Sequence, residues 1–261
     1  MFNEPRDEFF YSSYKVNAKF SDDLGTVKDA TATAFIIDAQ NGIPLIVTNR
    51  HVIDIDYRQR TAKYKNFRLA ALSISGRTSD DSVYSLRLHE DAKMYFHEDN
   101  QNDVVLIEAR IYFDKGDEKL HWHFGLEQLA GEEEYRCIKP FDLVCYTGFP
   151  DQHDKLGNRP ILRSGRIASD PKFDYSWDNQ PKGKCVAYEG FSSSGASGSP
   201  VFAPSRGLRG GIADSRHGYL IGVNAGHIPG TEGHTGISYF YKSTVILDIL
   251  KINNLLAKKN G

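Results

Sequence analysis

A cluster of serines and glycines between Glu189 and Ala203 could do chemistry directly; it reads EGFSSSGASGSPVFA. A serine hydroxyl is a weak nucleophile unless a base takes its proton and fixed donors hold the oxyanion that forms. Ser197 has a glycine two residues before it and another directly after it, and glycine allows turns that bring amide groups together. We therefore predict Ser197 as the nucleophile rather than part of a flexible loop. The candidate oxyanion donors are the backbone amides of Gly195, Ala196 and Ser197.

A nucleophilic serine requires a histidine base and a carboxylate that orients the histidine. His51 lies in the apolar segment PLIVTNRHVI, which is typical of a strand that ends in a rigidly held imidazole. Asp103 directly precedes the apolar segment VVLIEA, where a carboxylate would be partly buried. Asp99 lies close by and is an alternative partner for His51. The order His51, Asp103, Ser197 differs from the order in α/β-hydrolases and in subtilisins.

Short segments rich in β-branched and aromatic residues dominate the chain up to about residue 245, which predicts β-strands. The elements that position the candidate site residues are therefore expected to be strands. Five segments predict strands of a first unit: 30–38, 44–53, 67–75, 82–89 and 103–111. Strand patterns resume after the polar stretch 114–136, which predicts a linker. No segment with the apolar spacing of a helix lies between the predicted strands. Because a parallel sheet needs such helical connections, an antiparallel arrangement is favoured.

The C-terminal segment has a different pattern. Val245, Ile249, Ile252 and Leu256 follow helical spacing. Ser243 or Thr244 could cap the start of this helix. The residues alone therefore predict two antiparallel β units followed by one helix.

Three motifs resemble those of the chymotrypsin-like (trypsin-like) serine peptidases. TNRHV is similar to the histidine motif of that family, NDVVLIEA to its aspartate motif and GASGSPVF to its G-x-S-G-x-P serine motif. The resemblance covers roughly residues 14–250 and implies an all-β fold of two antiparallel six-stranded β-barrels, with the active site between them and a C-terminal α-helix. The implied divisions are an extension (1–13), a first barrel with His51 and Asp103 (14–113), a linker (114–136), a second barrel with Ser197 (137–242) and the helix (243–261).

The details resemble bacterial intracellular relatives of the glutamyl endopeptidase and HtrA kind more than digestive trypsins. Ala196 stands where secreted trypsins carry an aspartate that pairs with a new N-terminus after cleavage. We therefore expect activity without N-terminal processing.

The resemblance also implies which segments line the pocket for the substrate residue before the scissile bond. Phe191 stands where trypsins carry an aspartate, and Asn224 lies near the place of a histidine in glutamyl endopeptidases. A preference for Lys or Arg is therefore not supported, and we predict a small or polar residue there. The candidate pocket residues are Phe191, Ser192, Ser194, Asn224, Ala225, Gly226 and His227.

Composition gives no reason to expect nucleic acid or a membrane as partner, since the 261 residues carry a net charge of −2. The basic run 58–68 is interpreted as a solvated loop or strand face. Three cysteines without CxxC spacing, and an N-terminus without an apolar signal core, predict a cytoplasmic protein. We expect no cofactor and no metal.

These observations predict a serine endopeptidase that cleaves a protein or peptide substrate through an acyl-enzyme intermediate. Regulated intracellular proteolysis or antiviral defence, with a regulatory or effector protein partner, is the expected setting by analogy with the family. The alternative is a catalytically silent or partner-activated interaction module on the same fold.

Overall fold

Alternating burial along the first strand shows why this sequence forms antiparallel sheets. Every second side chain from Tyr14 to Phe20 is buried, while Asn17 and Lys19 between them face solvent. This period of two places one face of the strand on a core. The computed structural model describes residues 7–39, 44–59, 61–77, 81–112, 122–205, 217–230 and 233–256.

The first β unit is a nine-stranded sheet. Its strands are β1 (Tyr14–Ser21), β2 (Val27–Asp38), β3 (Pro44–Thr48), β4 (Arg68–Arg77), β5 (Val83–Leu88), β6 (Met94–Phe96), β7 (Val105–Glu108), β8 (Ile111–Tyr112) and β9 (Phe124–Gly125). Their order is β6-β7-β3-β2-β1-β4-β5-β8, and β9 pairs with β2 in parallel. The other pairs are antiparallel, including β3 with β7, the two strands that lead to the predicted base and its carboxylate.

The second β unit is a closed six-stranded antiparallel barrel with the order β10-β11-β12-β15-β14-β13. The segment that carries the predicted nucleophile, Ser197, connects β12 to β13. The strands are β10 (Leu143–Gly148), β11 (Ile161–Ile167), β12 (Cys185–Glu189), β13 (Pro200–Ala203), β14 (Tyr219–Gly230) and β15 (Gly233–Lys242).

In the described ranges the α-helices are α1 (Asp7–Phe10), α2 (Glu132–Arg136) and α3 (Ser243–Ile252). Short 3₁₀ turns cover Arg50–Val52, Ala62–Tyr64 and Leu126–Gln128. The apolar face of α3 is buried in a core cluster that also contains side chains of both β units, such as Phe35 and Leu220. This shared core holds the two units and the helix together. None of the helices in the described ranges is long and apolar enough to cross a membrane.

The predicted all-β double-barrel fold with a C-terminal helix is confirmed. The first unit contains more strand segments than the expected six, because short strands such as β8 and β9 extend its sheet. The described part of the predicted linker, residues 122–136, forms β9, a 3₁₀ turn and α2. Helix α3 ends at Ile252, which is 47% exposed, and residues 257–261 of the predicted helix lie outside the described ranges.

Candidate active site

Adjacent strands bring His51 and Asp103 together. Strand β3 ends at Thr48 and leads through Asn49 into the 3₁₀ turn that carries His51, while Asp103 lies two residues before β7. Thr48 pairs with Val105 across the two strands. Antiparallel pairing therefore places the end of β3 beside the start of β7, and so His51 beside Asp103.

The Asp103 carboxylate holds His51 through both of its oxygens. Oδ2 lies 2.6 Å from His51 Nδ1, and Oδ1 accepts the His51 backbone N–H at 2.9 Å. The Asn49 side-chain amide donates to the Asp103 carbonyl at 2.7 Å, a contact that the sequence did not suggest. With Nδ1–H donating to the carboxylate, Nε2 of the neutral imidazole is left as an acceptor.

The charge of Asp103 controls the protonation of His51. Partial burial lowers the pKa of His51, but the attraction and hydrogen bond of the Asp103 carboxylate raise it, and the net effect is a raised pKa. The Arg58 guanidinium opposes this increase. The Asp103 side chain is only 7% exposed, whereas that of His51 is 35% exposed, so the imidazole remains accessible from the cleft.

The alternative carboxylates near His51 have other partners. Asp99 Oδ1 accepts the Gln101 backbone N–H at 2.9 Å, which shapes the loop before Asp103. Asp54 forms an ion pair with Arg50 at 3.4 Å. The structure therefore places Asp103, and not Asp99, against the His51 ring.

The Ser197 loop turns through two glycines in the left-handed region. Gly195 has φ +88° and Gly198 has φ +86°, a conformation that residues with a side chain rarely adopt. A Cβ on Gly198 would overlap the carbonyl oxygen of Thr33. The turn therefore requires both glycines, Gly195 two residues before Ser197 and Gly198 directly after it, as their spacing in the sequence predicted.

Thr33 of β2 joins this loop to the first β unit, and the sequence did not indicate its role. Its backbone N–H donates to the Ser197 carbonyl at 2.8 Å, and its hydroxyl donates to the Gly195 carbonyl at 2.8 Å. The same hydroxyl accepts the Phe149 N–H at 2.9 Å, and Thr48 donates to the Thr33 carbonyl. Thr48 lies three residues before His51, so these bonds place the serine loop beside the histidine turn.

The carbonyl groups on both sides of the Gly195 amide accept hydrogen bonds from residues outside the serine loop. The Ser194 carbonyl accepts the Asp151 N–H at 3.0 Å, and the Gly195 carbonyl accepts the Thr33 hydroxyl. Within the described ranges, the N–H groups of Gly195 and Ser197 donate to no protein acceptor. The Ala196 N–H, in contrast, donates to the Ser193 carbonyl at 3.0 Å. Of the three candidate donors, the Gly195 and Ser197 amides are therefore the two without a protein acceptor in the described ranges.

The Ser197 hydroxyl donates to the carbonyl of Ala225 at 3.2 Å. No hydrogen bond joins Ser197 to His51 among the residues that the structure describes. Such bonds are often loose in ligand-free sites and tighten when substrate binds.

Asn224 is fully buried and makes three side-chain hydrogen bonds between the two predicted pocket segments. Its Nδ2 donates to Ser192 Oγ at 2.8 Å and to the Ala196 carbonyl at 2.9 Å, while its Oδ1 accepts the Tyr188 hydroxyl at 2.8 Å. Ser238 Oγ accepts the Ser192 N–H at 2.9 Å. The region between the two predicted pocket segments is therefore lined by neutral amide and hydroxyl groups.

The remaining predicted pocket residues lie around this network. Phe191 is 61% exposed and its ring turns to solvent, while its carbonyl accepts the Tyr146 hydroxyl. Ser194 and His227 are also exposed, and Ala225 is buried. Gly226 pairs with Tyr239 of β15.

The cysteines do not provide a competing nucleophile in this region. Burial raises the pKa of the Cys145 and Cys185 thiols to about 12, so both are protonated near neutral pH. Cys137 is exposed and precedes the second barrel. No disulfide joins the three cysteines, all of which lie in the described ranges.

Comparison of the structure with solved structures gives the same fold. The HtrA-type protease AlgW with a decapeptide aligns over 94% of this chain with a TM-score of 0.55 and 15% identity, and the chain spans 65% of AlgW. Protease Anisep from Arthrobacter nicotinovorans aligns over 93% of this chain and 94% of its own, with a TM-score of 0.58 and 13% identity. The thermostable serine protease AL20 aligns over 95% and 99%, with a TM-score of 0.55 and 13% identity.

The sequence comparisons identify the family. No curated protein sequence is significantly similar to the chain. A family model described as "Trypsin-like peptidase domain" matches residues 32–212, which is more than half of the chain and includes His51, Asp103 and Ser197. The prediction of a hydrolase of the serine-peptidase class is thereby confirmed at the level of the family. The chain belongs to the trypsin-like peptidase domain family.

Proposed function

We propose that the protein is a serine endopeptidase in which Ser197, His51 and Asp103 form the catalytic triad. The observation that carries the proposal is the His51–Asp103 pair, held 2.6 Å apart beside a serine loop with two unused backbone N–H groups. A base with a fixed carboxylate and preorganised donors are the groups that acyl transfer to serine requires.

In this mechanism Ser197 Oγ attacks the carbonyl carbon of the scissile peptide bond, and its proton passes to His51 Nε2. The N–H groups of Gly195 and Ser197 stabilise the negative oxygen of the tetrahedral intermediate. His51 then gives the proton to the departing amine as the C–N bond breaks. Water attacks the acyl ester in the same way, with His51 as base, and releases the carboxylic acid and Ser197.

The substrate residue before the scissile bond is proposed to be small and neutral or polar. The groups between the two pocket segments are neutral: Tyr188, Ser192, Asn224 and Ser238. A charged side chain buried among them would lack an opposite charge, which is costly. Cleavage profiling with a peptide library tests this preference, and dominant cleavage after Lys, Arg, Asp or Glu would contradict it.

Labelling with a fluorophosphonate probe tests the triad. We expect the wild-type protein to form a covalent adduct on Ser197, and the Ser197→Ala variant to form none. Ser193→Ala is the matched control, because Ser193 lies in the same loop but its hydroxyl bonds Gln152. Labelling that persists in Ser197→Ala would remove Ser197 from this role. Absence of labelling in the wild type would favour a silent or partner-activated module.

The biological setting is proposed by analogy with the family. We propose action on a protein substrate in regulated proteolysis inside the cell, with antiviral defence as one such setting and a protein partner as regulator. The lack of a disulfide among the three cysteines, all in the described ranges, supports a reducing, cytoplasmic compartment. Co-purification from the native host tests the partner, and fractionation tests the compartment.

A further inference from the structure

Arg58 occupies a backbone position that does not favour it. It lies in the segment after the His51 turn and has φ +56°, the left-handed region, which costs free energy for a residue with a Cβ. An arginine in a solvated basic loop would gain nothing from this conformation. Contacts of its side chain therefore have to offset the cost, and three such contacts are present.

The guanidinium of Arg58 spans the cleft between the β units. Nη2 donates to Gln101 Oε1 at 2.9 Å and to the Asn100 carbonyl at 3.3 Å, both in the loop just before Asp103. Nη1 donates to the hydroxyl of Tyr241 at 2.9 Å, and Tyr241 is a fully buried residue of β15 in the second barrel. One side chain thus connects the histidine segment, the aspartate loop and the second barrel.

We propose that Arg58 is a positioning residue that clasps the His51 and Asp103 segments of the first unit to the second barrel, which carries Ser197. A planar guanidinium with several fixed donors suits this role, because it can satisfy three acceptors on two other segments at once. Neighbouring Tyr57 assists: it packs under the guanidinium, with the ring centroid 5.0 Å from Cζ, and its hydroxyl donates to the Asn100 carbonyl at 2.7 Å.

The positive charge of Arg58 has a second consequence at His51. It lowers the pKa of His51 and so opposes the larger effect of Asp103. The uncharged imidazole is the form that accepts the Ser197 proton, so the cation favours the catalytic state of the base. The charged and titratable groups that share electrostatic contacts around this site are Asp103, Asp99, Arg50, Tyr57, Tyr239, Tyr241 and Cys185.

Two substitutions of Arg58 distinguish the effect of its hydrogen bonds from the effect of its positive charge. Arg58→Met removes both the donors and the charge, whereas Arg58→Lys keeps the charge but not the guanidinium. Lys63→Met is the matched control, because Lys63 is exposed in the same basic run and contacts the Tyr64 ring. The rate of fluorophosphonate labelling is measured for each variant as a function of pH.

We expect Arg58→Met to label about tenfold more slowly at the plateau, because small displacements of catalytic groups are costly. The pH midpoint of its labelling rate should shift upward, because the charge that lowers the pKa of His51 is gone. Arg58→Lys should lose rate but keep the wild-type midpoint, and Lys63→Met should match the wild type. A rate and midpoint in Arg58→Met equal to those of Lys63→Met would overturn the inference.

The kinetic readout rests on the proposed function, so a second measurement keeps the two apart. The titration of the His51 ring, followed by NMR, requires no catalysis. We expect a higher His51 pKa in Arg58→Met than in the wild type. An unchanged His51 pKa would exclude the electrostatic effect of Arg58 on His51, even if neither protein is labelled.

Should Arg58→Met not fold, Tyr241→Phe removes the contact across the cleft and leaves Arg58 in place. It should slow labelling without moving the midpoint, and an unchanged rate would reject the clasp.

Discussion

At the scale of single residues, the His51–Asp103 pair should make the proposed activity depend on pH. Burial lowers the pKa of His51, but Asp103 raises it by more, so the net pKa lies above the ordinary value. Since the neutral ring is the proposed base, labelling should be slow in acid. It should rise with pH through a midpoint above the ordinary imidazole value of about 6.5. A fluorophosphonate rate profile measures this midpoint, and a midpoint below the ordinary value would contradict the proposed coupling.

The same pH–rate profile for the Asp103→Asn variant measures the contribution of the Asp103 charge. The midpoint should fall, because the attraction that stabilises the imidazolium is lost, and the plateau rate should drop by about 10⁴-fold because the ring is no longer held in its productive tautomer. Asp54→Asn is the control, since Asp54 pairs with Arg50 rather than with the ring.

Thr33 gives a second residue-scale prediction. Thr33→Val keeps the shape but leaves the buried Phe149 N–H without its acceptor, so the free energy of unfolding should decrease by about 1–3 kcal/mol. Labelling should slow as well, since the Gly195 carbonyl loses the donor that orients its peptide. Thr33→Ser retains the hydroxyl and should behave like the wild type. Thermal unfolding and probe labelling measure the two effects, and equal behaviour of the two variants would exclude this role.

At the scale of elements, the turn around Ser197 depends on Gly198 for two reasons. Its φ is +86°, and a Cβ there would overlap the Thr33 carbonyl oxygen. Gly25 has φ +80° but open space around it. Gly25→Ala should therefore cost only about 1 kcal/mol of backbone strain. Gly198→Ala should destabilise the protein more and abolish labelling, because the β2 strand and the serine loop must separate. Similar losses in both variants would show that strain alone matters.

Helix α3 contributes to stability through its buried face. Ile249 is fully buried in the core cluster shared by both β units, whereas Ile252 on the same helix is 47% exposed. Ile249→Ala should lower the free energy of unfolding by about 2–5 kcal/mol, and Ile252→Ala should cost much less. Denaturant titration compares the two. Labelling below the unfolding transition should persist in both, because the helix lies outside the triad.

At the scale of the whole molecule, an apolar side chain lies at the centre of the serine loop. Ala196 is fully buried in an apolar cluster with Tyr146 and Tyr188, and its methyl group cannot form an ion pair with a new N-terminus. The uncut chain should therefore label with the probe. Intact-mass analysis of the labelled protein measures this, and an adduct found solely on N-terminally shortened chains would refute it.

Much of the fold was predictable because period-two burial and short apolar segments are local properties of the chain. The segments 30–38 and 103–111 predicted β2 and β7, although β7 itself is shorter, at Val105–Glu108. The helix at the C-terminus was predicted from its apolar spacing, but its end at Ile252 was not, since exposure of the last turn depends on where the core stops. The linker pattern did not reveal β9 or α2, because polar composition does not exclude local order.

The sequence by itself determined the candidate triad, because His51, Asp103 and Ser197 each stand in a local motif with its own chemical reason. It also determined the two glycines of the serine turn, since only glycine adopts that backbone readily. Tertiary structure alone decided between Asp103 and Asp99, showed the hydrogen bonds of the buried Asn224, and revealed Thr33 and Arg58. The physical reason is that hydrogen bonds between residues far apart in the chain depend on strand register and packing, which no local pattern encodes.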